Sequence, residues 1–162
     1  MTRSFNKRRD VRASLGGAQR ALCASLLAII LMSTAQSGWG ACTLSVLGVI
    51  FGSYDTFSNV PLDNAGGNVA VTCDIPTPYT LALSPGSGTY ALRSMSGAGS
   101  SLNYNLFIDP TRLIVWGDGT PGTSVVAGAT IGASHTIYAR IPQRQNVPVG
   151  VYTDTVIVTL SF

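Results

Sequence analysis

From Ala41 to Phe162, apolar and polar residues alternate in short runs, each bounded by Gly, Pro, Asn or Asp. Period-two alternation is what a half-buried β-strand requires, because successive side chains point to opposite faces. "TLSVLGVIFG" places Leu44 and Val46 on one face, "NVAVTC" places Val69, Val71 and Cys73 together, and "YTLALS" aligns Tyr79, Leu81 and Leu83. "LNYNLFI" aligns Leu102, Tyr104, Leu106 and Ile108, and "HTIYARI" aligns Ile137, Ala139 and Ile141. "RLIVW" is a short apolar run that leads into "GDGT", an Asp-Gly tight-turn signal. The last run, "VPVGVYTDTVIVTLSF", predicts a terminal strand with Val156, Val158, Leu160 and Phe162 inward and Thr155, Ile157, Thr159 and Ser161 outward. A strand that apolar needs cover on both edges, and the sequence leaves open what lies beside it.

No segment of this region has a helical period. Glu is absent and the single Lys is Lys7, so favoured surface helix formers are scarce. Short strands at this spacing over about 120 residues predict an all-β domain, an immunoglobulin-like β-sandwich spanning residues 41–162.

Residues 1–40 read differently. A basic start leads into "ALCASLLAIILM" and then into small and polar residues up to "GWGAC", the order of a secretory signal peptide. The apolar run is short for a bilayer span. Cleavage before Ala41 and cleavage before Gln36 both suit the side-chain sizes. The Arg8–Arg9 pair lacks the following residues of a twin-arginine signal, and Trp39 is ill suited to a lipoprotein site at Cys42. Residues 1–40 carry a net charge of +5 and residues 41–162 a net charge of −2, so the basic balance belongs to the leader. Nucleic-acid binding loses its compositional support.

Export makes the cysteines legible. Cys23 falls in the leader, which leaves Cys42 and Cys73 as a pair in an oxidising compartment. A bridge between them closes a loop of about thirty residues, a constraint of about 3–4 kcal/mol by the loop-entropy argument. Two cysteines and one histidine fall short of a four-ligand metal site, so no metal or other cofactor is expected.

Catalytic groups are equally sparse. His135 begins a predicted strand without an evident base or nucleophile beside it. The serines of "SPGSG" and "SGAGSS" lie in Gly-rich turns, away from any strand-turn-helix elbow. Asp109 heads an Asp-Pro turn and Asp118 an Asp-Gly turn, which accounts for both without paired-acid chemistry or calcium. Trp116 reads as a residue packed at the rim of the sandwich, with sugar stacking as the rival. No enzyme is expected.

Six pieces occur in order: "ACTLSVLGVIFGSYD", "VTCDIPTPYTLALSPG", "YALRSM", "LNYNLFID", "WGDGT" and "YARIPQRQNVPVGVYTDTVIVTLSF". Together they resemble the spore coat protein U domain, shared by subunits of archaic chaperone–usher pili of the Csu type. The resemblance implies a sandwich lacking its final strand. It also implies a groove beside the last strand present, filled first by a periplasmic chaperone and then by an extension of the neighbouring subunit. An outer-membrane usher and passage through the periplasm to the cell surface belong to the same expectation. The expected groove residues are Leu44 and Val46 on one wall and Val156, Val158, Leu160 and Phe162 on the other. Little sequence stands between the presumed cleavage point and Cys42, so the chain reads as a strand acceptor without a donor, a tip or end subunit. Adhesion or biofilm formation is the implied role. A spore or cell-surface coat protein is the first alternative, and a lectin-like module using Trp116 and Tyr104 is the second.

Overall fold

The computed structural model describes residues 40–162. The expected signal peptide lies outside the described residues apart from Gly40. Six strands run β1 (Cys42–Leu47), β2 (Leu62–Leu83), β3 (Arg93–Gly97), β4 (Ser100–Phe107), β5 (Val126–Ile141) and β6 (Val158–Ser161), with no helix among the described residues. The sheet order is β1-β2-β5-β4-β3, with β6 also on β2. All pairings are antiparallel. The curled sheet folds over itself as an immunoglobulin-like sandwich.

The spine is the long hairpin-like pairing of β2 and β5, from Leu62↔Ile141 to Leu81↔Val126. Two runs expected as separate strands, "NVAVTC" and "YTLALS", are parts of the single strand β2. Pro76 is accommodated by a register shift between Thr72 and Thr77, where several β2 residues face one residue of β5. A proline cannot donate to a ladder, so a bulge is where a central strand tolerates one. On the other edge of β2, β1 pairs along Asn68–Cys73 and β6 along Thr80–Leu83.

The core follows the alternation. Val69, Val71, Tyr79, Leu81 and Leu83 of β2 meet Ile137, Ala139 and Ile141 of β5 and Leu102, Tyr104 and Leu106 of β4, all buried. Tyr79 lies over Gly128, where a β-carbon would strike its ring, and its hydroxyl meets His135 Nε2 at 2.9 Å. His135 thus sits inside β5, half-buried against Tyr79, and burial pulls its imidazole below the usual range. "RLIVW" forms no strand of its own; Val115 and Trp116 make isolated bridges to Phe107 and Ser124. Trp116 is fully buried rather than at the rim, and its Nε1 donates to the Leu81 carbonyl at 3.1 Å.

Arg93 is the other departure from pattern. It lies on β3 at 0 % exposure and bonds no carboxylate among the described residues. Its Nε and Nη2 donate to the Ser84 carbonyl, Nη2 also to the Trp116 carbonyl at 2.7 Å, and Nη1 to Asn105 Oδ1 at 2.6 Å. Three segments are thereby tied to one planar cation, a geometry that suits arginine's fixed fork of donors. Burial lowers the pKa of that guanidinium, but arginine retains its proton in proteins.

Candidate functional site, an uncovered apolar groove

Two backbone segments leave the ladder early and stand apart. After Leu47 the first carries Gly48, Val49, Ile50 and Phe51 along the mouth of the sandwich. Val49 is admitted close to the sheet by Gly67, where a β-carbon would stand 2.6 Å from its Cγ2. The second segment comes from the end of the chain. Thr153 exchanges two hydrogen bonds with Ser96 of β3, and the chain then crosses to β2, which β6 joins through Val158–Ser161. The strand expected over residues 155–162 therefore switches sheets, and only its last part is laddered.

Between the segments lie two hollows of about 380 Å³ and about 720 Å³ that share Val49, Phe51, Met95, Tyr152 and Thr153. Core residues form the floor: Leu83, Met95, Tyr104, Leu106 and Ile137 under the smaller, Leu102 and Ile141 under the larger. Large apolar side chains on the walls face solvent, Ile50 at 81 % and Val151 at 82 % exposure. Among the described residues, the outer edges of β1 and β6 have no ladder partner. Backbone groups and apolar surface are thus left open together, the combination that sheet edges otherwise conceal.

Val46, Val156 and Val158 line the smaller hollow. Leu44 and Leu160 are half-buried and pack on the core beside it. Phe162 is 56 % exposed and lines neither hollow, because it lies beyond the last paired residue, Ser161. Cys42 and Cys73 are bonded at an S–S distance of 2.07 Å and face each other in register, so the bridge pins β1 to β2.

Polar side chains brace the walls. Tyr54 Oη donates to the Pro142 carbonyl at 2.9 Å and accepts from Gln145 N at 2.8 Å. The Gln145 amide in turn accepts from Asn103 N and donates to the Asn103 carbonyl, at 2.7 and 2.8 Å. It acts as one more rung where β5 has ended, beside Pro142, which has no N–H to offer. Asp154 accepts from Ser87 N, Ser87 Oγ, Tyr104 Oη and Thr155 N at 2.7–3.0 Å. Burial pushes its carboxyl pKa up, but the hydrogen bonds from Tyr104 and Ser87 outweigh it and the net shift is downward. Tyr104 is pushed well up, first by burial and then by the Asp154 carboxylate.

Sequence patterning missed Phe51, Met95, Tyr152 and Asp154 as groove residues. The continued alternation Tyr152–Asp154–Val156 held the signal for two of them. Asp109 and Asp118 cap turns: Asp109 accepts from the Leu113 and Ile114 amides, and Asp118 from Thr120. Trp116 and Tyr104 are buried, which withdraws the platforms of the lectin-like alternative. Among the described residues no cluster of three or more His, Cys, Asp or Glu could hold a metal.

A family profile described as Spore Coat Protein U domain matches residues 29–159. "Protein U" of Myxococcus xanthus is 36% identical over 140 residues, covering 78% of this chain and 75% of that protein. Among solved structures, the chain is similar in fold to one from the CsuC–CsuE chaperone–tip adhesion subunit pre-assembly complex of archaic chaperone–usher Csu pili of Acinetobacter baumannii. The TM-score is 0.55 at 21% identity, over 76% of this chain and 40% of that one. The chain therefore spans less than half of the structure it matches. With a profile across most of its length and a relative at this identity, the chain belongs to the Spore Coat Protein U domain family, whose members are structural rather than enzymatic proteins.

Proposed function

We propose that the chain is a subunit of a surface fibre of the chaperone–usher kind and that its groove receives a donated β-strand. The observation that carries this is the apolar floor left open between two walls whose outer edges lack partners among the described residues. A strand laid there makes main-chain hydrogen bonds to both walls, and its alternate side chains fill the hollows. Val46, Val156 and Val158 would line its seat, Leu44 and Leu160 would support the walls from behind, and the Cys42–Cys73 bridge would keep the first wall in place.

The partners in this reading are a periplasmic chaperone that covers the groove in transit, an outer-membrane usher, and a neighbouring subunit that replaces the chaperone. The protein passes through the periplasm to the cell surface. A position at the tip or end of the fibre, and a role in adhesion or biofilm formation, are the finer parts of the proposal. The fold likeness to a chain of a chaperone–tip adhesion subunit complex is what speaks for them.

A second reading is favoured by the likeness to Protein U: a coat protein of a spore or cell surface built on the same domain. One experiment separates them. The chain is expressed to the periplasm alone and with a candidate chaperone or strand peptide, and its solubility and melting temperature are followed. A lone chain that aggregates or melts low, and is raised sharply by a donated strand, sustains the fibre reading. A stable monomer indifferent to any strand rejects it and leaves the coat protein.

A further inference from the structure

The last segment turns Tyr152, Asp154, Val156, Val158 and Leu160 toward the domain and Thr153, Thr155, Ile157 and Thr159 toward solvent. Asp154 is a carboxylate in the middle of an otherwise apolar or aromatic row. Among the described residues lining the two hollows, Asp154 and Asp55 are the only charged side chains, and none is Lys, Arg or His. Asp55 is exposed in a turn at the far end, whereas Asp154 is half-buried beside Leu83, Tyr104 and Leu106.

The hydrogen bonding of Asp154 is uneven. Oδ1 accepts from Ser87 N, Ser87 Oγ and Thr155 N, while Oδ2 accepts only from Tyr104 Oη. Each carboxylate oxygen offers two acceptor sites, so Oδ2 keeps one free. Gly86 backs this oxygen on the loop side. Buried Arg93 is near enough for its charge to attract Asp154, but its donors are committed to Ser84, Trp116 and Asn105 and none bonds Oδ2.

Resting on the strand-acceptor reading, we propose that Asp154 reads charge on the occupant. The occupant is an extended strand of a neighbouring fibre subunit, apolar at alternate positions, with a Lys or Arg at the position facing Asp154. Covering the groove removes this carboxylate from water, which is costly unless a new partner arrives. The described lining of the groove supplies no cation that bonds Asp154, so the donor must bring one. An acidic residue at that position is repelled. The pair also fixes register, because a slip of one residue turns the cation to the outward face.

The test uses the purified full chain and synthetic strands of about a dozen residues, with Lys, Leu or Glu as guest at each inward position in turn; binding is followed by fluorescence anisotropy. At one position Lys should bind about tenfold more tightly than Leu, with Glu weaker again, between the ranges of exposed and buried pairs. Added salt should narrow the spread, and Asp154→Asn should abolish it. Equal Lys and Glu affinities at every position overturn the proposal, as does a preference spread evenly over all positions or one that Asp154→Asn leaves intact. Should that variant not fold, the native chain decides: a Lys preference confined to one position and weakened by salt supports the pair, and any other pattern overturns it. If no peptide binds or raises the melting temperature, the strand-acceptor reading itself fails.

Discussion

Arg93 is a buried charge that makes no ion pair among the described residues, with Asp154 only at a distance, and replacing it asks which of two opposed effects governs the site. Arg93→Met keeps most of the side-chain volume and deletes the donors. Three acceptors then lose a partner: the Ser84 and Trp116 carbonyls and Asn105 Oδ1. Each buried acceptor left unpaired costs about 1–3 kcal/mol, or about 3–9 kcal/mol for three. Against this, the guanidinium no longer has to be desolvated, a relief of several kcal/mol. Asn105 Oδ1 also keeps the Leu106 amide as a partner, so its loss lies at the low end. The balance is a destabilisation of about 2–3 kcal/mol for Arg93→Met. Arg93→Ala, which adds a cavity, should cost about 4 kcal/mol. Urea unfolding of the strand-bound chain measures both, with the fluorescence of buried Trp116 as one probe, since its own carbonyl accepts from Arg93. An Arg93→Met chain as stable as the native one would refute the reasoning, because desolvation of the charge would then outweigh the network.

Other outcomes follow from the same geometry. Replacing Cys42 and Cys73 by Ser should cost about 3–4 kcal/mol and weaken strand binding beyond that, because β1 carries a wall of the groove; denaturant midpoints and peptide titration report the two effects separately. Gly67→Ala should cost about 1–3 kcal/mol and lower strand affinity, since its β-carbon would push Val49 off the sheet, an effect a peptide titration at matched folded fraction detects. The Asp63 carboxyl is held below the usual range by its hydrogen bond with Arg140, despite partial burial and with help from nearby Arg112, and that of Asp109 is held at about 2, first by Thr111. Folded pKa values below the unfolded ones mean stability that is present above about pH 4 and lost as pH falls through the folded values. The acid limb of a pH–stability curve should therefore flatten in Asp63→Asn.

The sandwich was legible because burial imposes period two on β2, β4 and the second half of β5. What escaped was carried by residues that break the pattern for local reasons. Asp74–Pro78 looks like a loop, yet one strand runs through it: Pro76 sits in the bulge and Pro78 is back in register opposite Ala129. The first half of β5, "VAGATIGAS", has few large apolar residues, since Tyr79 covers Gly128 and bulk there is unnecessary. β3 is short, and its two most buried positions are Arg93 and Met95, one of them a cation. Of the groove, the valines were visible through alternation, which also runs back through Asp154 to Tyr152. Phe51 was not, because the chain leaves the ladder around it. Phe162 followed the alternation in sequence but lies past the last hydrogen-bonded pair, where nothing holds a side chain to a face.

The pairing of β2 with β5 bears on time as much as on shape. Leu62 meets Ile141, so the first rung of the central ladder joins residues near opposite ends of the domain. The whole stretch from Leu62 to Ile141 must be present and its loops closed before that ladder repays their entropy, and folds dominated by such distant pairings form slowly. Throughout that interval Ile50, Val151 and the unpaired edges are available to any other chain in the same state. The topology thus sets a race between folding and association, and a partner able to cover the groove early would decide how much protein completes the course.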